Sequence, residues 1–195
     1  MKKILILLFL LRLSIINAQS YESEILEFQK ELNDKYKNPD ESPLERKDLK
    51  RFKGHKFYPI NEKFKVLAKF VRTKDANPFS MKTTTNRLPK YEVYGIASFE
   101  LNGNGYQLNI YQSHRLRETD EYKNYLFLPF NDLTNGDETY GGGRFIDLEI
   151  PDNDSIIIDF NKAYNPYCAY NPKYSCPIPP EENDLDVHIS AGIKK

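Results

Sequence analysis

Apolar residues recur at every third or fourth position before Phe57 and at every second position after it. That change of period separates a helical start from a body of strands. In the first part Tyr21, Ile25, Phe28, Leu32 and Tyr36 make one apolar stripe on a charged cylinder, which predicts a helix over Tyr21–Lys37 ended by Pro39. Ser42-Pro43-Leu44-Glu45 then reads as a helix start, with a capping hydroxyl, a proline in the first turn and a glutamate three positions on. A short second helix is expected from there to Phe52, with Gly54 just past its end.

The body alternates. Phe64, Val66, Ala68 and Phe70 share one face, as do Phe79, Met81 and Thr83, and then Tyr91, Val93, Gly95, Ala97, Phe99 and Leu101. Asn102-Gly103 supplies the positive φ of a tight turn, so 91–111 is expected to be a hairpin returning through Tyr106, Leu108 and Ile110. Tyr125–Phe130 is apolar on both parities, as in a strand covered on both faces. Ile146, Leu148 and Ile150 alternate with Asp147 and Glu149, Ser155–Phe160 reads as a core strand, and Leu185, Val187 and Ile189 as a last one. The expected fold is α+β and mostly β: an antiparallel sheet curled into a partly open barrel, with the two N-terminal helices packed against it.

The N-terminus changes the picture of the compartment. Lys2-Lys3, the apolar runs Ile4–Leu11 and Leu13–Ile16, and Ala18 before Gln19 have the order of a secretory signal peptide. The expected division is a signal peptide over 1–18 and one globular domain over 19–195, exported to a periplasmic or extracellular space. No membrane span is expected after cleavage, because the apolar run is short and Arg12 interrupts it. Losing Lys2, Lys3 and Arg12 turns 28 basic against 28 acidic residues into 25 against 28, a net charge of −3. That balance excludes a nucleic-acid partner, which would need surplus Lys and Arg to neutralise phosphates. In an oxidising compartment Cys168 and Cys176, with seven residues between them, are expected to form a disulfide.

Two stretches carry candidate chemistry. In Asn131–Arg144 the triplet Gly141, Gly142 and Gly143 lets backbone N–H groups converge on an anion, and Arg144 beside it has the fork that grips a carboxylate or phosphate. Asp132, Thr134 and Tyr140 would complete a polar pocket. The bland alternative is a wide turn in which Arg144 pairs with an acid such as Asp147 or Asp159. The second stretch runs from Asp159 to Asn183 and holds five of the twelve prolines between 166 and 180, so it is stiff and unsuited to the middle of a sheet. Asn161, Tyr164 and Asn165 would flank the ligand from this side. Asp132 and Asp159 are the candidate catalytic carboxylates of a hydrolase, with Arg144 as oxyanion support. Asp159 has a structural alternative as the cap of the loop that follows it.

Other chemistries lack their motifs. There is no Gly-x-Ser-x-Gly, no phosphate-binding P-loop and no His-Glu-x-x-His, and His55, His114 and His188 lie far apart. No metal and no cofactor is expected, and the pattern specifies no oligomeric state. His55 stands between Lys53 and Lys56, whose charges would lower its pKa. The expected partner is a small anionic or polar ligand; the rival readings are the hydrolase and an exported scaffold whose motifs only close loops.

The runs Leu126–Phe130, Asp132–Arg144 (DLTNGDETYGGGR), Asp159–Ala169 (DFNKAYNPYCA) and Cys176–Pro180 followed by Asn183 resemble the bacterial and archaeal family called domain of unknown function 1684. The resemblance covers nearly the whole chain after the leader and is most specific in the C-terminal half. It implies one domain of this length, often exported, and no established activity.

Overall fold

A computed structural model describes residues 2–195, with side chains from Ser20 onward. The leader expected over 1–18 lies outside the residues whose side chains are described. Helix α1 (Lys2–Lys37) presents the expected stripe: Tyr21, Ile25 and Tyr36 are buried, and Phe28 and Leu32 half-buried. The second helix is shorter than expected. It is the single turn α2 (Arg46–Leu49), which buries no residue. The Ser42 hydroxyl, expected to cap it, accepts from Leu44 N at 3.3 Å and also donates to the Tyr36 carbonyl at 2.7 Å, which closes the end of α1. Among the described residues no helix is long and apolar enough to cross a membrane.

Ten strands follow among the described residues: β1 (Lys56–Phe57), β2 (Lys65–Arg72), β3 (Phe79–Ser80), β4 (Lys90–Leu101), β5 (Asn104–Ser113), β6 (Tyr125–Asp132), β7 (Arg144–Glu149), β8 (Ser155–Asp159), β9 (Asp184–Leu185) and β10 (Ile193–Lys194). The main sheet runs β7-β6-β5-β4-β2-β8, antiparallel throughout that order and curled into a half-barrel; β3 adds to β4, and β1 with β10 makes a separate two-stranded ladder. The β4–β5 hairpin turns through Asn102 and Gly103, with φ of 57° and 78°, the two positive values that a two-residue loop demands. At Gly95 a β-bulge brings the chain so near β2 that an added Cβ would lie 2.3 Å from the Phe70 ring, so only glycine fits. The last strand departs from expectation. It shrinks to β9 and runs parallel to β6.

The fold has two apolar regions, one on each side of the sheet. Inside the curl, Val66, Ala68, Phe70, Ala97, Leu108, Ile110, Leu128, Ile146 and Ile158 pack together. Outside it, Met81, Tyr91, Tyr111, Phe127, Phe145 and Cys176 form a second cluster under the chain segments that cross this face. The β5–β6 ladder is thin, with Tyr111 opposite Phe127 as its one paired position. Pro129 has no N–H to give there, and Asn183 takes over. Its fully buried amide accepts from Asn109 N and donates to the carbonyls of Asn109 and Pro129 at 2.7–2.9 Å.

Candidate functional site

The predicted site residues separate into three groups. Asp132, Thr134 and Arg144 make one buried cluster. Arg144 is fully buried; its Nη2 meets Asp132 Oδ2 at 2.7 Å and Ile189 O at 2.8 Å, and its Nη1 donates to Ala191 O at 2.5 Å. Asp132 Oδ1 accepts from Thr134 N, Thr134 Oγ1 and Ile189 N. Both ends of the guanidinium are therefore engaged by the chain's own C-terminal segment. Arg144 clamps the 189–193 segment to the sheet, and neither it nor Asp132 faces solvent.

In the glycine triplet Gly141 and Gly142 are exposed and Gly143 is buried. Gly142 lies beneath the Tyr140 ring, where an added Cβ would come within 2.5 Å. Gly143, at φ +83°, is wedged against Pro179, Asn131 and the Phe130 carbonyl. Tyr140 sits half-buried, its hydroxyl pKa raised by burial and by the neighbouring Cys168.

Asp159 and Asn161 belong to a second closed cluster. Asp159 Oδ1 accepts from Asn161 N at 3.0 Å and from Asn161 Nδ2 at 2.9 Å, the capping role, and Tyr21 donates its hydroxyl to the same carboxylate. Asn161 also bonds Asn61 through both ends of its amide. These contacts fasten α1 to the end of β8 and leave Asp159 no free approach for a substrate. Asn165 turns the other way and donates to Tyr170 Oη at 3.0 Å.

Tyr164 alone of the predicted ligand set lines a cavity of about 480 Å³ on the outer face of the sheet. Its position follows from pleat geometry. On β7, Arg144 and Ile146 point into the curl, so Phe145 and Asp147 must point out. On β6 the outward residues are Tyr125 and Phe127, with Phe127 directly opposite Asp147 in the ladder. The stiff segment after β8 then extends this sheet edge. Phe145 N donates to Tyr164 O at 2.9 Å and Tyr164 N returns a bond to Phe145 O at 3.0 Å. Farther along, Thr84 N donates to Cys176 O and Ile178 N to Lys82 O, which pins the other side of the loop. The expected stiffness is thus expressed as single bridges to two neighbours. Helix α1 contributes Phe28, Leu32 and Lys35 to the remaining wall.

The cavity is walled by rings. Phe127 and Phe145 meet edge to face with centroids 4.8 Å apart, and Tyr167 and Tyr174 do so at 5.2 Å. The polar feature among them is Asp147. Its Oδ1 accepts the hydroxyls of Tyr125 at 2.7 Å and Tyr164 at 2.6 Å, while Oδ2 has no hydrogen bond among the described residues. Burial, and then the Asp147 charge, push both tyrosine pKa values up, which keeps the phenols protonated as donors. Lys35 stands over the Tyr167 ring, 5.7 Å from its centroid; its hydrogen bond to that tyrosine raises its pKa against the opposing effect of burial.

The two cysteines correct one expectation. They are neighbouring free thiols, not a disulfide: Cys168 N donates to Cys176 Sγ at 3.1 Å, and burial pushes the Cys176 thiol up to about 12. Cys176 lines the cavity beside Ser175 and Pro177. The histidines stay apart. His114 Nε2 contacts Glu92 at 3.0 Å, His188 is exposed, and His55 is boxed by Tyr36, Phe52 and Tyr170. Burial in that box, not the adjacent lysines, lowers the His55 pKa to about 4.

Sequence reasoning missed Tyr125, Phe127, Phe145, Asp147, Tyr167 and Tyr174 as site residues. The available signal was the run of tyrosines at 164, 167, 170 and 174, close spacing that three-residue turns convert into one aromatic surface.

The fold has a counterpart among solved structures. The solution NMR structure of an uncharacterized protein from Haloarcula marismortui superimposes with a TM-score of 0.71 and is 29% identical, over 92% of this chain and 96% of that one. No curated protein matches the chain. Residues 50–194 match the family described as "Protein of unknown function (DUF1684)", the family that the C-terminal motifs resemble, and the chain belongs to it.

Proposed function

We propose that this chain is an exported small-molecule binding domain whose ligand occupies the ring-walled cavity between the sheet's outer face, the 164–177 loop and α1. The carrying observation is the cavity's composition. A space of about 480 Å³ with many aromatic rings in its walls and one carboxylate oriented by two phenols is the usual form of a small-ligand site, apolar bulk with few fixed polar groups. This position differs from the one first expected at Gly141–Arg144, where the Arg144 guanidinium is spent on Asp132 and the 189–193 backbone. Phe28, Leu32 and Lys35 of α1 close one wall of the site, and the backbone bridges at Tyr164, Cys176 and Ile178 pin the loop. Export is supported by the order of charges, apolar run and small residue over 1–18.

The test uses phenethylamine and 2-phenylethanol as probes in an NMR titration of the chain from Gln19 onward. Both reading and geometry require amide shifts at Phe127, Phe145 and Tyr164. Leu32→Trp, which fills the cavity from a half-buried helix position, should abolish them while the far-UV CD spectrum stays unchanged. Shifts absent for both probes, or equal in the filled variant, would overturn the proposal. Analysis of protein exported by a host secretion system should find Gln19 at the N-terminus; an intact Met1 would remove the export part.

A further inference from the structure

We infer that the cavity selects an organic cation: an ammonium or guanidinium group on an apolar, ring-bearing body, with the charge seated at Asp147. This rests on the cavity being a ligand site and adds the class of ligand. The first argument is the polarity of the Asp147 end. Tyr125 and Tyr164 spend their only protons on Asp147 Oδ1. What the trio then offers is acceptor surface alone: two phenol oxygens and the unbonded Oδ2. A ligand group seated there must donate, and a charged donor to a carboxylate gains most.

The second argument is the walls. The faces of Tyr and Phe rings carry negative potential, so rings around a carboxylate add to its pull on a cation instead of opposing it. The third is charge balance. Among the lining residues Glu31 and Asp147 are acidic and Lys35 is the basic one. Lys35 already behaves as the site's resident cation. Its ammonium rests over the Tyr167 ring, and Asp147 is among the groups that raise its pKa. A positively charged ligand would take over interactions that the mouth makes with this side chain. An anionic ligand would have Lys35 to itself but would meet Asp147 and the ring faces repelling it.

The test is a charge series on one ring: phenethylamine, 2-phenylethanol and phenylacetate, titrated at one ionic strength against the parent chain, Asp147→Asn and Lys35→Gln. The asparagine keeps an acceptor for both tyrosine hydroxyls, so the pocket holds its shape. The expected order is amine, then alcohol, then carboxylate, with the amine ahead of the alcohol by about tenfold. Asp147→Asn should erase that advantage and leave 2-phenylethanol binding as before. Lys35→Gln should tighten the amine by removing its competitor. Equal binding of amine and alcohol, or an amine advantage that survives Asp147→Asn, overturns the cation inference and leaves the binding site standing. Phenylacetate binding best and weakening in Lys35→Gln would make this an anion site at Lys35, also against the inference. Silence from all three probes removes the binding site itself.

Discussion

Replacing Arg144 separates a clamp from a ligand contact. In Arg144→Met the aliphatic stem is kept and the guanidinium lost. Asp132 is then a fully buried carboxylate without its countercharge, the carbonyl of Ala191 loses its side-chain donor, and that of Ile189 keeps only the Ala191 N–H. Removing one partner of a buried ion pair costs about 3–5 kcal/mol. Asp132 keeps three donors from Thr134 and Ile189, which favours the lower half of that range, and the orphaned Ala191 carbonyl adds about 1 kcal/mol. A loss of about 4 kcal/mol lowers Tm by roughly 8–16 °C in a chain of this size. The chain has no tryptophan, so urea unfolding is followed by far-UV CD and tyrosine fluorescence. Pairing Arg144→Met with Asp132→Asn should restore part of the loss, with a coupling of about 2 kcal/mol, because the second change removes the stranded charge. A loss below about 1 kcal/mol in the single variant would refute the clamp. Unchanged stability with lost phenethylamine binding would return Arg144 to the ligand.

Three further outcomes follow from other buried groups. Asn183→Ala removes the bonds that stand in for the β5–β6 ladder, so stability should fall by about 2–4 kcal/mol and the Asn109 amide should exchange faster; continued protection of that amide would contradict the role. His55 has its pKa depressed from 6.5 to about 4 in the folded chain, so the unfolded chain binds the extra proton between those values. Stability from this group is therefore complete above about 6.5 and falls as pH drops toward 4, by about 2–3 kcal/mol, a slope that should flatten in His55→Asn urea titrations. Both thiols should titrate in denaturant, while folded Cys176, its thiol pushed up to about 12, should resist iodoacetamide at mildly alkaline pH; a native mass two hydrogens light would show the bond that the structure lacks.

How much of this was legible before the structure depends on the range of the interaction. Period and punctuation are local, so the α1 stripe, the Asn102-Gly103 hairpin and the strand faces could be read directly. The second helix is a single turn although Ser42 Oγ accepts from Leu44 N, because α2 buries no side chain that would hold a longer one against the body. The parallel β9 failed because its partner is more than fifty residues away and only two positions pair.

The proposed site begins one position away from the residue that the sequence singled out. Gly141–Arg144 drew attention because glycine and arginine are chemically conspicuous, and the loop does meet β7 beside the 161–168 turn, through the Phe145–Tyr164 bridge. A strand, however, sends neighbours to opposite faces, so whatever Arg144 touches, Phe145 and Asp147 cannot. Once Ile146 is assigned to the core, Arg144 must share its face, and a guanidinium on a core face must spend its donors on the chain itself. The same alternation puts Asp147 outside, opposite Phe127, where two tyrosines reach it. Sequence pattern therefore held enough to demote Arg144 and promote Asp147. It could not join the tyrosines, because Tyr125 comes from β6 and Tyr164 and Tyr167 from the loop after β8, two segments that only the curled sheet and the pinned loop bring together.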